Sequence, residues 1–156
     1  MGLRELARTV GVSPAAPYRH FDSRLSLLEA LAVIGFRRFT EKVTAARDGG
    51  SPREQLYSMG RAYVGFALDN PHLFRLMFSP ELERSSRPVL GMAADQAFAS
   101  LREVADGLGG DGRILSLRAW AQVHGLAVLM LDGQMRLQPN ESAEGLIAAV
   151  IGGIAS

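Results

Sequence analysis

The chain has 156 residues, 47% of them apolar, a formal net charge of +1 and no cysteine. That is enough for one compact unit with a real core, or a small domain fused to a larger one, and it excludes disulfides and thiolate metal sites. Met1 is followed by Gly-Leu-Arg-Glu rather than an apolar leader, and no apolar run reads as long enough to span a bilayer, so a cytoplasmic protein without a membrane partner is expected.

The charge is uneven. Residues 1–47 hold 8 Lys/Arg against 4 Asp/Glu, and residues 48–156 hold 9 against 12. A basic head on a mildly acidic body suits a head that meets a polyanion, although counts this small also arise by chance.

Leu3, Leu6, Ala7 and Val10 follow the spacing of one helix face, and Gly11 ends that helix. Ser13 then reads as an N-cap with Pro14 in the first helical position, predicting a second short helix to Phe21. Asp22 or Ser23 opens a long helix to about Arg47, with an apolar stripe of Leu25, Leu28, Leu31, Ala32, Gly35, Phe39 and Val43, closed by Gly49-Gly50. Ser51-Pro52-Arg53-Glu54 is a capping box that starts a helix to Asn70, stopped by Pro71. His72 to Phe78 is a short apolar helix. Ser79-Pro80 and Arg87-Pro88 bracket a polar loop. Further helices are predicted from Pro88 to Asp106, from Arg113 to Gly133, and from Glu141 to Ile154. No segment alternates as a strand does, so the fold class is all-α.

The first two short helices, joined by Gly11-Val12-Ser13, match a helix-turn-helix. On the second helix Pro17 and Phe21 face inward, while Ala15, Ala16 and Arg19 face out, flanked by Tyr18 and His20. Small side chains admit such a helix to the major groove, where Arg19 reaches a base edge or a phosphate. Ser13 caps its N-terminus, and Tyr18, His20 and Arg24 suit phosphates.

The stretch Leu3 to Leu31 resembles the DNA-binding head of TetR/AcrR-type transcriptional regulators. The matching positions are Leu6-Ala7, Gly11-Val12-Ser13, Tyr18, His20-Phe21 and Arg24. Trp120, His124 and Gly125 resemble the W-x-x-x-H-G motif of one C-terminal ligand-binding class in that family. The resemblance implies a helix-turn-helix head (1–47) joined by a long helix to a ligand-binding and dimerisation body (48–156). It implies a ligand-responsive repressor that binds a palindromic operator in double-stranded DNA as a homodimer. Arg113–Gly133 and Glu141–Ile154 would pair the copies, and a hydrophobic small molecule would act as effector. Heads of this family begin with a further helix that has no counterpart before Leu3. The alternative is therefore a helical ligand-binding or dimerisation protein without DNA binding.

Several other features have bland readings. Gly107 to Gly112 fits G-x-G-x-x-G, but it follows a helix rather than a strand and reads as a helix–helix connection. Phe66, Phe74, Met77 and Phe78, with Met92, Phe98 and Met130, read as plain core or as lining of an effector cavity. Trp120 and His124 read as core, with a neutral His124 on a carbonyl, or as a pocket wall or helix seam. His20, His72 and His124 lie on separate elements, with no H-E-x-x-H and no nucleophile elbow, so no enzyme, catalytic residue, metal or cofactor is expected.

Overall fold

The computed structural model describes residues 21, 23–47, 49–135 and 138–152. The two short helices of the helix-turn-helix reading lie outside these residues. The described residues form six α-helices and one short 3-10 turn, and no strand.

Helix α1 is Arg24–Ala45, capped by Ser23, whose hydroxyl accepts from the Ser26 amide at 3.0 Å. Its buried face is wider than the predicted stripe. Leu27, Val33 and Phe36 are buried as well, while Leu25 is only half-buried. The reason is tertiary: α1 is covered on several sides, by α2 (Pro52–Asp69), α3 (Pro71–Met77) and α4 (Pro88–Asp106). It ends before the glycines, where the Arg47 amide bonds the Thr44 carbonyl in a tightened last turn. Gly35 faces α3 so closely that a Cβ there would sit 2.8 Å from Met77, which is what lets these helices touch.

The capping box of α2 is present in both directions, Ser51 taking the Glu54 amide and Glu54 taking the Ser51 amide. The Ser51 side chain and backbone hydrogen bonds hold the Glu54 carboxyl below its ordinary pKa. Asn70 ends α2 and begins α3, with Pro71 in the first position of the new helix. The polar loop that follows contains the 3-10 turn Arg84–Ser86.

Helix α5 is Gly112–Leu131, opened by Asp111, which accepts from the amides of Arg113 and Ile114. It stops short of Gly133 because that glycine is the left-handed residue after the Asp132 cap. Gly133 lies at φ 65°, and the Gln134 amide returns to the Leu129 carbonyl at 2.9 Å. The Arg75 guanidinium covers the same end, donating to the Leu131 carbonyl and pairing with Asp132. Helix α6 is Ala143–Gly152 and begins after Ser142, whose hydroxyl takes the Gly145 amide. It packs chiefly on α2, where Gly60 leaves room for Ile151. The glycine-rich segment joins α4 to α5, with Gly109 and Gly110 both at φ 80°.

One expectation is corrected. Helix α5 is long and apolar enough, by length and composition, to cross a membrane. Arg113 and Arg118 interrupt its pattern without raising its charge enough to change that. In the fold it lies against α2, α4 and α6.

Candidate functional site

The described core contains a cavity of about 230 Å³ that is partly open to solvent. Helix α1 contributes Phe36, Phe39 and Val43 to its wall, and α2 contributes Leu56, Met59, Gly60 and Tyr63. Ala94, Asp95, Ala97, Phe98 and Leu101 come from α4, and Leu117, Ala119, Trp120 and Val123 from α5. Phe78 and Arg84 join the wall from the segment between α3 and α4. Four helices thus each give one apolar face to a shared space, an arrangement suited to a mostly apolar small molecule.

Three polar groups beside the cavity form one chain. The Trp120 indole N–H donates to the Tyr63 hydroxyl at 3.3 Å, and that hydroxyl lies 2.8 Å from His124 Nδ1. Indole is a donor only, so the phenol accepts from it and passes its own proton toward His124. This assigns the remaining His124 proton to Nε2. Burial pushes the Tyr63 phenol well above its ordinary pKa, against smaller opposing effects of the Trp120 hydrogen bond and the Arg84 charge. Burial, and then the Arg84 charge, holds His124 below the ordinary histidine range. Both groups are therefore neutral near pH 7, as a partly dry site requires.

Rings surround this chain. Phe98 meets Trp120 edge-on at 5.7 Å, and Phe78 meets His124 at 4.6 Å. The Arg84 guanidinium lies 5.2 Å from the centre of Phe36 and 5.4 Å from that of Phe78. Both positions are within cation–π range.

Of the residues singled out as ligand-binding from sequence, Phe78 and Trp120 line the cavity. Phe66, Phe74 and Met77 are buried but are absent from its wall: Phe66 packs on Phe39, Met77 lies against Gly35, and Phe74 meets Tyr63 and Phe78. Phe74 lies behind the wall, with its ring 5.5 Å from that of His124. His124 is itself one layer back, and its partner is the Tyr63 hydroxyl rather than a carbonyl. Met92 is exposed and Met130 half-buried, both off the wall, whereas Phe98 is on it. Sequence reasoning missed Tyr63, Arg84, Asp95, Phe36 and Phe39. The aromatic residues among these look like ordinary core positions, and Arg84 sits in a polar loop whose path no periodicity reveals.

Of the DNA-facing set, Ser13, Ala15, Ala16, Tyr18, Arg19 and His20 lie outside the described residues. Arg24 is described. It is exposed in the first turn of α1 and pairs with Glu81 of the loop before α4. Among the described residues no cluster of three or more His, Asp or Glu could hold a metal ion.

The chain resembles several known proteins. It is 32% identical over 81 residues to the HTH-type transcriptional regulators Rv1816 of Mycobacterium tuberculosis and Mb1846 of Mycobacterium bovis. That match covers 50% of this chain and 35% of each relative, so the chain matches about a third of their length. A solved protein of unknown function from Rhodococcus sp. RHA1 superposes with a TM-score of 0.76 at 29% identity, covering 99% of this chain and 81% of that one. The TetR family transcriptional regulator PfmR from Thermus thermophilus shares the fold, with a TM-score of 0.68 at 20% identity over 99% of this chain and 87% of its own. Residues 56–150, well over half of the chain and including Trp120 and His124, match the tetracyclin repressor-like C-terminal domain, and the chain belongs to the TetR family of transcriptional regulators.

Proposed function

We propose that this protein is a one-component, non-enzymatic transcriptional regulator. Residues 1–47 read a palindromic operator in double-stranded DNA, and residues 48–156 bind an apolar effector and join two copies. The observation that carries this reading is the place of α1. Phe36, Phe39 and Val43 in its second half are cavity wall, and its first turn carries Arg24, directly after the helix-turn-helix motif. At 1.5 Å per residue, about 18 Å of continuous helix separates Phe36 from Arg24. A ligand that moves the cavity wall therefore moves the start of α1, and with it the head. Such a change represses or derepresses by altering the spacing of two recognition helices.

Arg24 is proposed to meet a phosphate when DNA is bound, in competition with Glu81. Ser13, Ala15, Ala16, Tyr18, Arg19 and His20 retain the roles expected from sequence. The test is selection of bound DNA from random duplexes, followed by titration at several salt concentrations. The expected product is a near-palindrome with half-sites about one helical turn apart. Arg24→Ala should weaken binding to all duplexes and lower the salt slope by about one. Glu81→Gln should strengthen it by freeing Arg24. Failure to enrich any sequence would overturn the DNA-binding reading.

A further inference from the structure

The cavity wall carries two charged side chains among the described residues, Arg84 and Asp95. They differ in setting. Asp95 is exposed, and its solvated carboxylate acts on Arg84 through space without a hydrogen bond to it, so the guanidinium fork still lacks an acceptor. Arg84 is half-buried in the 3-10 turn, with the rings of Phe36 and Phe78 near its guanidinium. Those rings offer no acceptor in the guanidinium plane. Among the described residues its N–H groups make no hydrogen bond and no ion pair. The neighbouring Arg87, by contrast, is paired with Glu29.

A guanidinium carries five N–H donors in a planar fork that matches two acceptor oxygens. A wholly apolar ligand would shut off water from this fork and leave its donors unpaired, which is unfavourable. A cationic ligand would meet like charge. A doubly charged anion would exceed the single guanidinium and be repelled by Asp95. One carboxylate satisfies the fork and matches its charge, and the rest of the cavity, walled by residues such as Met59, Leu101 and Trp120, takes an apolar body.

We infer that the cavity binds an apolar molecule bearing a single carboxylate, with Arg84 holding the carboxylate through a paired hydrogen bond beside Phe78. This rests on the proposed effector role of the cavity and adds the head group and its anchor. The space of about 230 Å³ exceeds the roughly 150 Å³ of an apolar cavity that takes a six-carbon ring, so an eight-carbon chain with a head group suits it.

The test is titration calorimetry of the whole chain with sodium octanoate and with octan-1-ol, which share a chain length and differ in the head group. Octanoate should bind at least about tenfold tighter, the range expected of a charge-assisted hydrogen bond. Arg84→Gln should remove that advantage and leave octan-1-ol binding unchanged. Asp95→Asn should tighten octanoate by removing a nearby like charge, and this exposed position keeps the test open if Arg84→Gln folds poorly. Equal or tighter binding of octan-1-ol, or octanoate binding indifferent to both substitutions, would overturn the carboxylate assignment and leave the cavity as an apolar effector site. Binding of neither molecule would overturn the effector role and this inference together.

Discussion

A single hydroxyl, that of the buried Tyr63, joins α2 to two half-buried residues of α5. Tyr63→Phe keeps the ring but leaves the Trp120 N–H and His124 Nδ1 without that partner. The expected loss of stability is about 1–3 kcal/mol, the cost of stranding buried polar groups. Urea unfolding measures it, and a change of only a few tenths would mean that water replaces the hydroxyl. His124 adds a pH dependence of definite sign. Its folded pKa lies below the ordinary 6.5, so as pH falls the unfolded chain takes the proton first. Its contribution is fully present above about pH 6.5 and is lost as pH drops toward the folded value. The urea midpoint should therefore fall on acidification from about pH 6.5, and His124→Gln should flatten that part of the profile. Comparison with this variant separates His124 from the other titrating groups. An unchanged slope would show that His124 is as easily protonated folded as unfolded.

The segment between α3 and α4 does more than connect two helices. Arg84 reaches into the cavity, while the residues on either side of it grip the first half of α1, Glu81 through Arg24 and Arg87 through Glu29. The two ion pairs are unequal. Arg24 and Glu81 are well exposed, whereas the Arg87 and Glu29 side chains are only 18% and 25% exposed. Arg87 Nε already lacks a partner among the described residues. Glu29→Ala would leave a nearly buried guanidinium without its counter-charge and should cost about 1–3 kcal/mol. Lys42→Ala breaks a solvated pair, Lys42 to Asp69 at 2.7 Å, and should cost less than about 1 kcal/mol. Chemical denaturation of both variants checks the ranking. Equal effects would mean that the Glu29 pair is as well hydrated as the Lys42 pair. This loop therefore links the cavity to the start of α1 by a second route, in parallel with the helix itself.

At the scale of the whole molecule, α5 and α6 leave apolar surface uncovered. Only 28% of the most apolar stretch of α5 is buried, and Ile114 and Leu129 are 45% and 46% exposed. On α6, Ala149 and Gly152 face outward, while Ile147 and Ile151 are used within the chain against α2. Gly125 has nothing within 4 Å of where a Cβ would be, so no other helix closely approaches it within the described chain. A second copy that covers these faces would account for them, and the proposed dimer does so through α5 and α6. Light scattering at micromolar concentration should give twice the mass of one chain. Leu129→Glu should bring the mass down to that of a monomer without unfolding the helices, as read by circular dichroism. A monomeric parent chain would refute the pairing.

Local chemistry in the sequence was sufficient to locate most helices. The Ser51–Glu54 box, the prolines at 71 and 88, and the glycines after α4 act on the residues beside them, so their effects are legible without a fold. The family resemblance was legible for the same reason, since Trp120, His124 and Gly125 lie within one turn or so of a single helix. Helix ends were less exact where a cap lay one or two residues from the obvious signal, as with Asp111, Ser142 and Gly133. The cavity could not be read this way. Its wall joins residues from Phe36 to Val123, and a core phenylalanine and a cavity phenylalanine have the same helical spacing. Which of them faces a void depends on how four helices cross. The same packing decided that Arg84, in a loop that reads as solvent-facing, would lie against two aromatic rings. It also decided that His124 would find a phenol from a helix some sixty positions earlier in the chain. Capping acts between near neighbours along the chain, whereas voids, ring stacks and buried polar chains arise between segments distant in sequence, and only the tertiary structure brings those together.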